Sequence, residues 1–391
     1  MKRLYIFLIL CNTFAIAQVQ QPKLVVGIVV DQMRFDYINR YWNDYSDDGF
    51  KRLISEGYNC TNTHFNYIPT YTGPGHASIY TGTTPSMHGI ISNYWYDREI
   101  EEYGYCVSDA GMHTVGADNE SGKMSPSKML TTTLGDEMRL FSMNRSKVVS
   151  IGLKDRSAVL PGGHMANFAF WLDSETGDFV SSSYYSLRLP KWVQKFNKKD
   201  LCEAYLSEKW ELLLPSKAYD ESLNDNSAYE EPFTGQKYPK FPYDLSELIN
   251  ENGKGLIKST PFGNTITKDM AIAAIEGESL GEDIHTDLLA VSFSSPDYVG
   301  HQFGTDSKEI QDTYLRLDLD LASFLSYLDD KIGKENVLIF LTSDHGAVRT
   351  PSYLKDRKIP AGYFEAEEPI RALKQFLQNI YGFGNWVKTY G

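Results

Sequence analysis

Residues 24–31 read Leu-Val-Val-Gly-Ile-Val-Val-Asp, an uninterrupted apolar run that ends in a carboxylate. A run of β-branched and aliphatic residues without alternation is typical of a parallel strand covered on both faces. Two later runs share this pattern: residues 288–293, which precede Ser294-Ser295-Pro296-Asp297, and residues 337–341, which precede Thr342-Ser343-Asp344-His345-Gly346. Ligands of open α/β sheets gather beyond the carboxyl ends of the strands, so we expect these polar clusters to form one site.

A fourth apolar run, residues 147–153, leads into Lys154-Asp155-Arg156, and helical patterns lie around residues 49–56, 130–143, 269–278 and 310–328. This alternation predicts an α/β fold, a three-layer sandwich with a mostly parallel central sheet. From about residue 161 to 262 the sequence becomes rich in Tyr, Trp, Phe, Pro, Ser and Lys, and its periodicity weakens. We interpret this region as a cap inserted beside the sheet.

The N-terminus has the pattern of a secretory signal peptide. Two basic residues precede the apolar run 4–10, and Ala15-Ile16-Ala17 offers a small-residue cleavage site. We therefore expect residues 1–17 to be a signal peptide, residues 18–391 to be the mature chain, and the protein to be periplasmic or secreted. A lipoprotein site at Cys11 is the alternative, although Leu10 is bulkier than such a site usually accepts. No later run approaches the ~18 apolar residues of a membrane span, so stable membrane insertion is not expected.

The composition is that of an ordinary globular protein, with 391 residues, of which 42% are hydrophobic and 23% charged. The 38 basic and 51 acidic residues give a formal net charge of −13. Nucleic-acid-binding proteins usually carry a basic footprint, so nucleic acid is not an expected partner. A site that handles phosphate would need positive charge of its own, because the net field repels anions.

Three cysteines lie beyond the expected signal peptide: Cys60, Cys106 and Cys202. An oxidising compartment permits one disulfide, and we expect Cys60–Cys106, because both flank the segment with the densest motifs. Spacing alone does not fix this pairing. A zinc–thiolate site is not expected, because the sequence has no Cys-x-x-Cys.

The strongest local motif is residues 69–76, Pro-Thr-Tyr-Thr-Gly-Pro-Gly-His. Its Gly-Pro-Gly opens a predicted helix, so Thr72 lies at or next to the N-cap, where the helix dipole and free amides favour a negatively charged oxygen. A threonine in this position is commonly no more than a cap. A bound metal would change its role, because coordination turns a weak hydroxyl into an alkoxide nucleophile.

Candidate metal ligands follow three of the predicted strands: Asp31, the pair Asp297 and His301, and the dipeptide Asp344-His345. Carboxylate and imidazole groups together suit zinc and related first-row metals. The four-residue spacing would place Asp297 and His301 on one face of a helical turn. Each group is a weak signal alone, and their combination with the Thr72 motif indicates a metal site. We interpret His76 and His88 as packing residues or partners of backbone groups.

This combination resembles the alkaline phosphatase superfamily of binuclear-metal hydrolases, and most closely its PafA-type periplasmic phosphatases with a threonine nucleophile. The matching segments are collinear: residues 25–34, 69–82, the region of Asn93, 154–156, 295–301 and 342–346. The resemblance implies two zinc sites, the first formed by Asp31, Asp344 and His345 with Thr72 bound as the nucleophile, the second by Asp297 and His301. It also implies phosphoryl-oxygen contacts from Asn93, Lys154 and Arg156.

The resemblance implies an alkaline phosphatase, a monomer that hydrolyses small phosphate monoesters through a covalent phosphothreonine intermediate on two zinc ions. Lys154 and Arg156 favour a monoester, because its dianion has an additional charged oxygen. A phosphodiesterase or nucleotide pyrophosphatase of the same superfamily is the first alternative. Ligand type does not exclude manganese or calcium.

One feature departs from the family. The family's second zinc site takes another histidine from a segment after the Asp-His-Gly motif, whereas the last of the eight histidines here is His345. Two protein ligands bind zinc weakly. We therefore expect either that the C-terminal part of the family domain is missing or that the second site is incomplete. A non-catalytic, metal-poor relative is the second alternative.

Overall fold

The structure is a computed structural model that describes residues 21–388. The expected signal peptide and Cys11 lie outside the described residues. The strands are β1 (Leu24–Val30), β2 (Tyr94–Asp97), β3 (Glu102–Tyr105), β4 (Thr114–Val115), β5 (Val148–Gly152), β6 (Phe168–Leu172), β7 (Phe179–Ser182), β8 (Lys209–Trp210), β9 (Tyr243–Asp244), β10 (Asp287–Phe293) and β11 (Val337–Thr342).

The α-helices lie between and after these strands along the chain. They are α1 (Phe35–Arg40), α2 (Phe50–Glu56), α3 (Thr72–Thr81), α4 (Pro85–His88), α5 (Leu134–Phe141), α6 (Asp155–Gly162), α7 (Lys191–Asn197), α8 (Leu201–Leu206), α9 (Leu245–Asn252), α10 (Phe262–Glu278), α11 (Ser295–Phe303), α12 (Lys308–Lys331), α13 (Pro351–Asp356) and α14 (Glu367–Tyr381). Between residues 21 and 388, none of them is both long and apolar enough to cross a bilayer.

Seven strands form the central sheet in the order β11-β1-β10-β5-β6-β7-β4. The first five run parallel, whereas β7 and β4 pair antiparallel at one edge. The four apolar runs of the sequence therefore become neighbours, and their carboxyl ends lie side by side. The predicted α/β fold with a mostly parallel sheet is confirmed.

Strand β1 is buried along its whole length because both faces of the sheet are covered. Leu24, Val26, Ile28 and Val30 join the apolar cluster to which α10 and α12 contribute. The alternate residue Val29 packs on the other face with Tyr80 of α3. Complete burial of such a side chain is worth roughly 1.5–3 kcal/mol. Strand β1 is therefore held firmly, and so is Asp31, which directly follows it.

The region interpreted as a cap begins later than the predicted residue 161. Strands β6 and β7 pair within the central sheet, so residues 168–182 belong to the main fold. Residues 183–261 contribute α7, α8, α9 and the small β8–β9 pair but no strand of the central sheet. The aromatic residues of this region pack on one another, as Trp210 does against Phe241 and Tyr243.

The expected disulfide is absent, and that prediction was wrong. Cys60, Cys106 and Cys202 are all free thiols in the described chain. Cys60 is exposed, whereas Cys106 is buried. Its sulfur packs 3.3 Å from where a Cβ on Gly73 would lie. The two thiols therefore occupy different environments, which their positions in the sequence do not reveal.

Candidate active site

The carboxyl ends of four parallel strands carry the site. Asp31 follows β1, Lys154 follows β5, Asp297 lies in the first turn of α11 after β10, and Asp344 follows β11. The side chains of Asp31 and Asp344 are fully buried, and Asp297 and Lys154 are nearly so. The expectation that these clusters meet at the carboxyl ends of the strands is confirmed.

Asp31, Asp344 and His345 form a group whose potential ligand atoms all lie within 4.8 Å of one another. His345 Nε2 is 3.4 Å from Asp31 Oδ1 and 3.7 Å from Asp344 Oδ2. Both of these oxygens are buried without a hydrogen-bond partner among the described residues. Because an unpaired buried carboxylate oxygen is costly, this arrangement fits a bound cation.

Neighbouring groups fix the orientation of these candidate ligands. His345 Nδ1 lies 2.8 Å from the carbonyl oxygen of Gly346, which can only accept a hydrogen bond. Nδ1 therefore carries a hydrogen, and Nε2 is the ring nitrogen that faces the two carboxylates. The Gln32 backbone N–H donates to Asp344 Oδ1 at 3.2 Å. Such supporting contacts are typical of residues that hold metal ligands in place.

Gln32 also links this group to the carboxylate of Asp297. Its side-chain Nε2 donates to Asp297 Oδ1 at 2.7 Å, and its backbone has a φ of 63° in the left-handed region. A non-glycine residue held in this conformation is a recurrent feature of functional sites. We assigned Gln32 no role from the sequence, where its position next to Asp31 was the only available signal.

Asp297 and His301 lie on one face of α11, as their spacing predicted. His301 Nε2 is 3.3 Å from Asp297 Oδ1, and the His301 side chain is 73% exposed. Within residues 21–388, no further His, Cys, Asp or Glu completes a ligand cluster around this pair. Two protein ligands and an exposed imidazole make this a weaker cation site than the first.

Lys154 lies between the two groups of carboxylates. Its Nζ donates to Asp31 Oδ2 at 2.7 Å and to Asp297 Oδ2 at 2.5 Å, and it lies 3.4 Å from Thr72 Oγ1. Burial alone would lower the pKa of Lys154, but Asp31 and Asp297 raise it above its ordinary value. The ammonium is therefore charged and supplies the local positive charge that the acidic chain otherwise lacks.

Thr72 is the first residue of α3, and Tyr71 is the N-cap. The N-cap residue makes no side-chain capping hydrogen bond and Thr72 is not the N-cap, so the interpretation of Thr72 as an ordinary cap does not hold. The Gly73 N–H donates to Asn93 Oδ1 at 2.7 Å, which leaves the Asn93 amide hydrogens available for another acceptor. The Thr72 hydroxyl thus lies at a helix N-terminus beside Lys154 and the buried carboxylates.

The Gly-Pro-Gly motif permits a close approach between α3 and its neighbours. A Cβ on Gly75 would lie 2.3 Å from the carbonyl oxygen of Asp344, and one on Gly73 would lie 3.0 Å from Asn93 Oδ1. Any side chain at Gly75 would push α3 away from the loop that carries Asp344. The glycines therefore set the distance between Thr72 and the candidate metal ligands.

Arg156 lies in the first turn of α6 and contacts Tyr105 rather than a carboxylate. Its Nη1 donates to the Tyr105 hydroxyl at 3.0 Å, and that hydroxyl in turn donates to Asp155. The Arg156 Nε is buried without a hydrogen-bond partner in the described chain. This leaves donor capacity on the guanidinium for an anion. Tyr105 was not identified from the sequence, because it lies 51 positions away.

Opposite charges in the metal-free site partly neutralise one another. Burial would raise the pKa of Asp344, but His345 and His76 lower it to about 2. Burial would lower the pKa of His345, but Asp344 and Asp31 raise it to about 10. Three carboxylates thus face the cations of Lys154 and His345. A metal ion held here would displace the His345 proton, because only neutral imidazole is a ligand.

Residues 25–378 match the family described as type I phosphodiesterase / nucleotide pyrophosphatase. A Myroides odoratus protein named calcium-transporting ATPase is 47% identical over 374 residues, which are 95% of this chain and 68% of that protein. Alkaline phosphatase PafA of Elizabethkingia meningoseptica is 46% identical over 370 residues, 94% of this chain and 68% of its own length.

A crystal structure of wild-type alkaline phosphatase PafA superposes with a TM-score of 0.90 at 45% identity, covering 94% of this chain and 71% of the PafA chain. The resemblance identified from the sequence motifs is thereby confirmed, and so is the fold that it implied. The family match over residues 25–378 runs from β1 to α14 and includes every strand of the central sheet. The chain belongs to the type I phosphodiesterase / nucleotide pyrophosphatase family and, within it, to the group that includes PafA.

Proposed function

We propose that this protein is an alkaline phosphatase that hydrolyses phosphate monoesters, with Thr72 as the nucleophile. One observation carries the proposal: the Thr72 hydroxyl lies at the N-terminus of α3, 3.4 Å from Lys154 Nζ. The buried, unpaired oxygens of Asp31 and Asp344 lie in the same site. The 46% identity to alkaline phosphatase PafA supports the same activity.

Asp31, Asp344 and His345 would hold one divalent cation, and Asp297 and His301 would hold a second. The mixture of nitrogen and oxygen donors favours Zn²⁺. Bound cations would lower the pKa of the Thr72 hydroxyl and neutralise the charge of the phosphoryl group and leaving oxygen. The exposed His301 and the short ligand set make the second cation the more weakly bound.

The residues of the chain would bind and orient the phosphate ester. Thr72 Oγ attacks phosphorus in line with the leaving oxygen, the bond to that oxygen breaks, and water then hydrolyses the phosphothreonine to inorganic phosphate. The amide of Asn93 and the guanidinium of Arg156 would donate to the non-bridging oxygens, where charge accumulates. Lys154 would join them once cations at the carboxylates replace its two ion pairs.

A phosphodiesterase is the second candidate, because the matching family is described by that activity. Monoester and diester substrates differ in the group that they place beside Lys154 and Arg156. A monoester presents a charged oxygen to these cations, whereas a diester presents a second organic group. We favour the monoester because the Arg156 Nε is buried and unpaired in the described structure.

The test is turnover of an aryl phosphate monoester, the matched diester and ATP at saturating zinc, with and without a chelator. ATP is included because one relative is named an ATPase. We expect the monoester to be cleaved fastest, Thr72→Ala to abolish turnover, and the chelator to stop it. Faster diester cleavage, little affected by Lys154→Ala, would establish the phosphodiesterase instead. No turnover of any substrate would establish a non-catalytic relative.

We also propose that residues 1–17 direct export to the periplasm or beyond. We further propose that the protein acts as a monomer on small phosphate esters. Mass spectrometry of the exported protein would show a mature N-terminus at Gln18. A mature N-terminus at Met1 would contradict the proposed cleavage.

A further inference from the structure

His76 lies inside the molecule between the helix of Thr72 and the loop of Asp344. It follows Thr72 by four positions in α3, one helical turn later, and its side chain is fully buried. Its Nδ1 is 2.9 Å from the Thr72 carbonyl oxygen and 3.2 Å from Asp344 Oδ2. Its Nε2 is 2.9 Å from the hydroxyl of Ser292 on β10.

These contacts fix the orientation of the imidazole ring. The Thr72 carbonyl can only accept, so Nδ1 carries the hydrogen and directs it at the backbone of Thr72. Asp344 Oδ2 lies within reach of the same nitrogen but has no hydrogen-bond partner in the described chain, so it keeps a lone pair for a cation. Ser292 holds the opposite end of the ring on a central strand of the sheet.

We infer that His76 is a positioning residue that fixes how α3 is oriented toward the Asp344 loop, and so where the Thr72 nucleophile lies. One imidazole connects the first residue of α3, a candidate metal ligand and β10. No other side chain of the described residues is hydrogen-bonded to the Thr72 carbonyl. The inference rests on the proposed function for its effect on turnover, but its effect on metal binding stands independently.

The contact at Gly75 explains why a histidine can act here. The backbone of α3 approaches Asp344 so closely at Gly75 that a Cβ there would overlap the Asp344 carbonyl. Packing therefore determines how near α3 lies to the loop. The buried ring adds directional contacts to this packing, because His76 Nε2 is hydrogen-bonded to Ser292 on β10 and Nδ1 lies 3.2 Å from Asp344 Oδ2.

The test compares His76→Phe, which keeps the ring volume but removes both nitrogens, with His76→Gln, which keeps a donor. Each full-length variant is titrated with Co²⁺, whose visible spectrum reports ligand geometry, and is assayed for monoester turnover. We expect His76→Phe to bind Co²⁺ roughly 10–100-fold more weakly with an altered spectrum. Its kcat should fall by a similar factor with little change in KM, and His76→Gln should recover part of both.

His88→Phe is the matched control. His88 is equally buried and also makes two hydrogen bonds, to the Ser78 hydroxyl and the Ile90 N–H, but it contacts none of the candidate ligands. It should lose stability without a change in the Co²⁺ spectrum. If His88→Phe alters the spectrum as much as His76→Phe, the effect is general packing and the inference is overturned.

Ser292→Ala keeps the inference testable if His76→Phe does not fold. It removes only the partner of Nε2, and we expect a smaller weakening of Co²⁺ binding in the same direction. Wild-type affinity and spectrum in both Ser292→Ala and His76→Gln would overturn the inference. Normal Co²⁺ binding by the wild type without turnover would contradict the proposed function and leave the role of His76 to be decided by the spectra.

Discussion

Lys154 is a fully buried cation whose two partners are both carboxylates of the site. Its side chain is 1% exposed and forms ion pairs with Asp31 and Asp297. Removing one member of a buried ion pair leaves an uncompensated charge, which typically costs 3–5 kcal/mol. In the metal-free protein, Lys154 therefore has a structural role that cations at the same carboxylates would take over.

We accordingly predict that Lys154→Met destabilises the metal-free protein by about 3 kcal/mol and that Zn²⁺ reverses most of this loss. The measurement is urea unfolding with a chelator and with excess Zn²⁺. Lys268→Met is the control, because Lys268 pairs with Asp320 at 3.0 Å in another part of the fold. Its loss should be the same in both conditions. A Zn²⁺-independent loss at Lys154 would contradict the prediction.

Gly75→Ala should separate α3 from the Asp344 loop. The new Cβ would lie 2.3 Å from a backbone oxygen, so the backbone itself must move. We expect a loss of stability of about 1–3 kcal/mol and a loss of phosphatase activity of at least tenfold. Thermal unfolding and turnover are the measurements. Gly362→Ala, where a Cβ meets nothing within 4 Å, should change neither.

Among the secondary-structure elements, α12 holds part of the inserted region (residues 183–261) in place through the buried carboxylate of Asp312. Asp312 accepts hydrogen bonds from Trp210 Nε1 and the Leu213 N–H, both at 2.7 Å, and from the Tyr219 hydroxyl at 2.5 Å. The Arg316 guanidinium supplies the neutralising charge from the next turn. This single side chain satisfies three donors of residues 210–219.

Asp312→Ala should therefore detach this part of the inserted region. We expect a loss of roughly 3–5 kcal/mol, because buried donors and the Arg316 cation lose their partner. Asp269→Ala is the control, since Asp269 accepts one hydrogen bond from the region, from the Tyr205 hydroxyl. Limited proteolysis should cut residues 210–219 only in the Asp312 variant. Equal protection in both variants would refute the proposed role of Asp312.

The elements that the sequence predicted best are the buried parallel strands. β1, β5 and β10 appear as continuous apolar runs because both faces of the sheet are covered along them. The same pattern predicted β11 as a strand, but its expected burial was wrong, because β11 lies at the edge of the described sheet and Leu338 is 55% exposed. β6 and β7 were assigned to the cap because they lie in an aromatic stretch with weak periodicity. The helix predicted at residues 269–278 begins at Phe262 instead. The prediction missed its first turns because Gly263, Asn264 and Thr265 are poor helix formers, and packing overrides their low propensity.

The site was predictable to the extent that strand ends converge. Asp31, Asp297 and Asp344 could be identified because each follows an apolar run. Gln32 and His76 could not, because their roles depend on partners 312 and 216 positions away. Residue type and local spacing carry no information about such contacts, whereas the order of strands in the sheet produces them.

At the scale of the whole molecule, buried acidic groups outside the site make stability depend on pH. Burial, and next the charge of Glu309, raise the pKa of Glu230 from 4.5 to about 8. The folded protein thus keeps a proton that the unfolded chain has already released. The contribution of Glu230 to the free energy of unfolding is fully present below about pH 4.5 and is lost as the pH rises toward 8.

Glu230→Gln should flatten this dependence. We expect the variant to gain on the order of 1–3 kcal/mol relative to the wild type between pH 5 and pH 8. Urea unfolding in the presence of a chelator measures it without a contribution from metal binding. Glu231→Gln, at the exposed neighbouring position, should leave the pH profile unchanged. Parallel profiles for the wild type and Glu230→Gln would refute the prediction.

The strand order has a consequence for how the molecule opens. Asp344 and His345 follow β11, the outermost strand on one side of the described sheet, whereas Asp31 follows its neighbour β1. A cation held by all three would cross-link the edge of the sheet to its interior. Amide deuterium uptake in β11 should then slow when Zn²⁺ is added, while uptake in β5 and β6 stays the same. The metal would thus determine which part of the protein unfolds first.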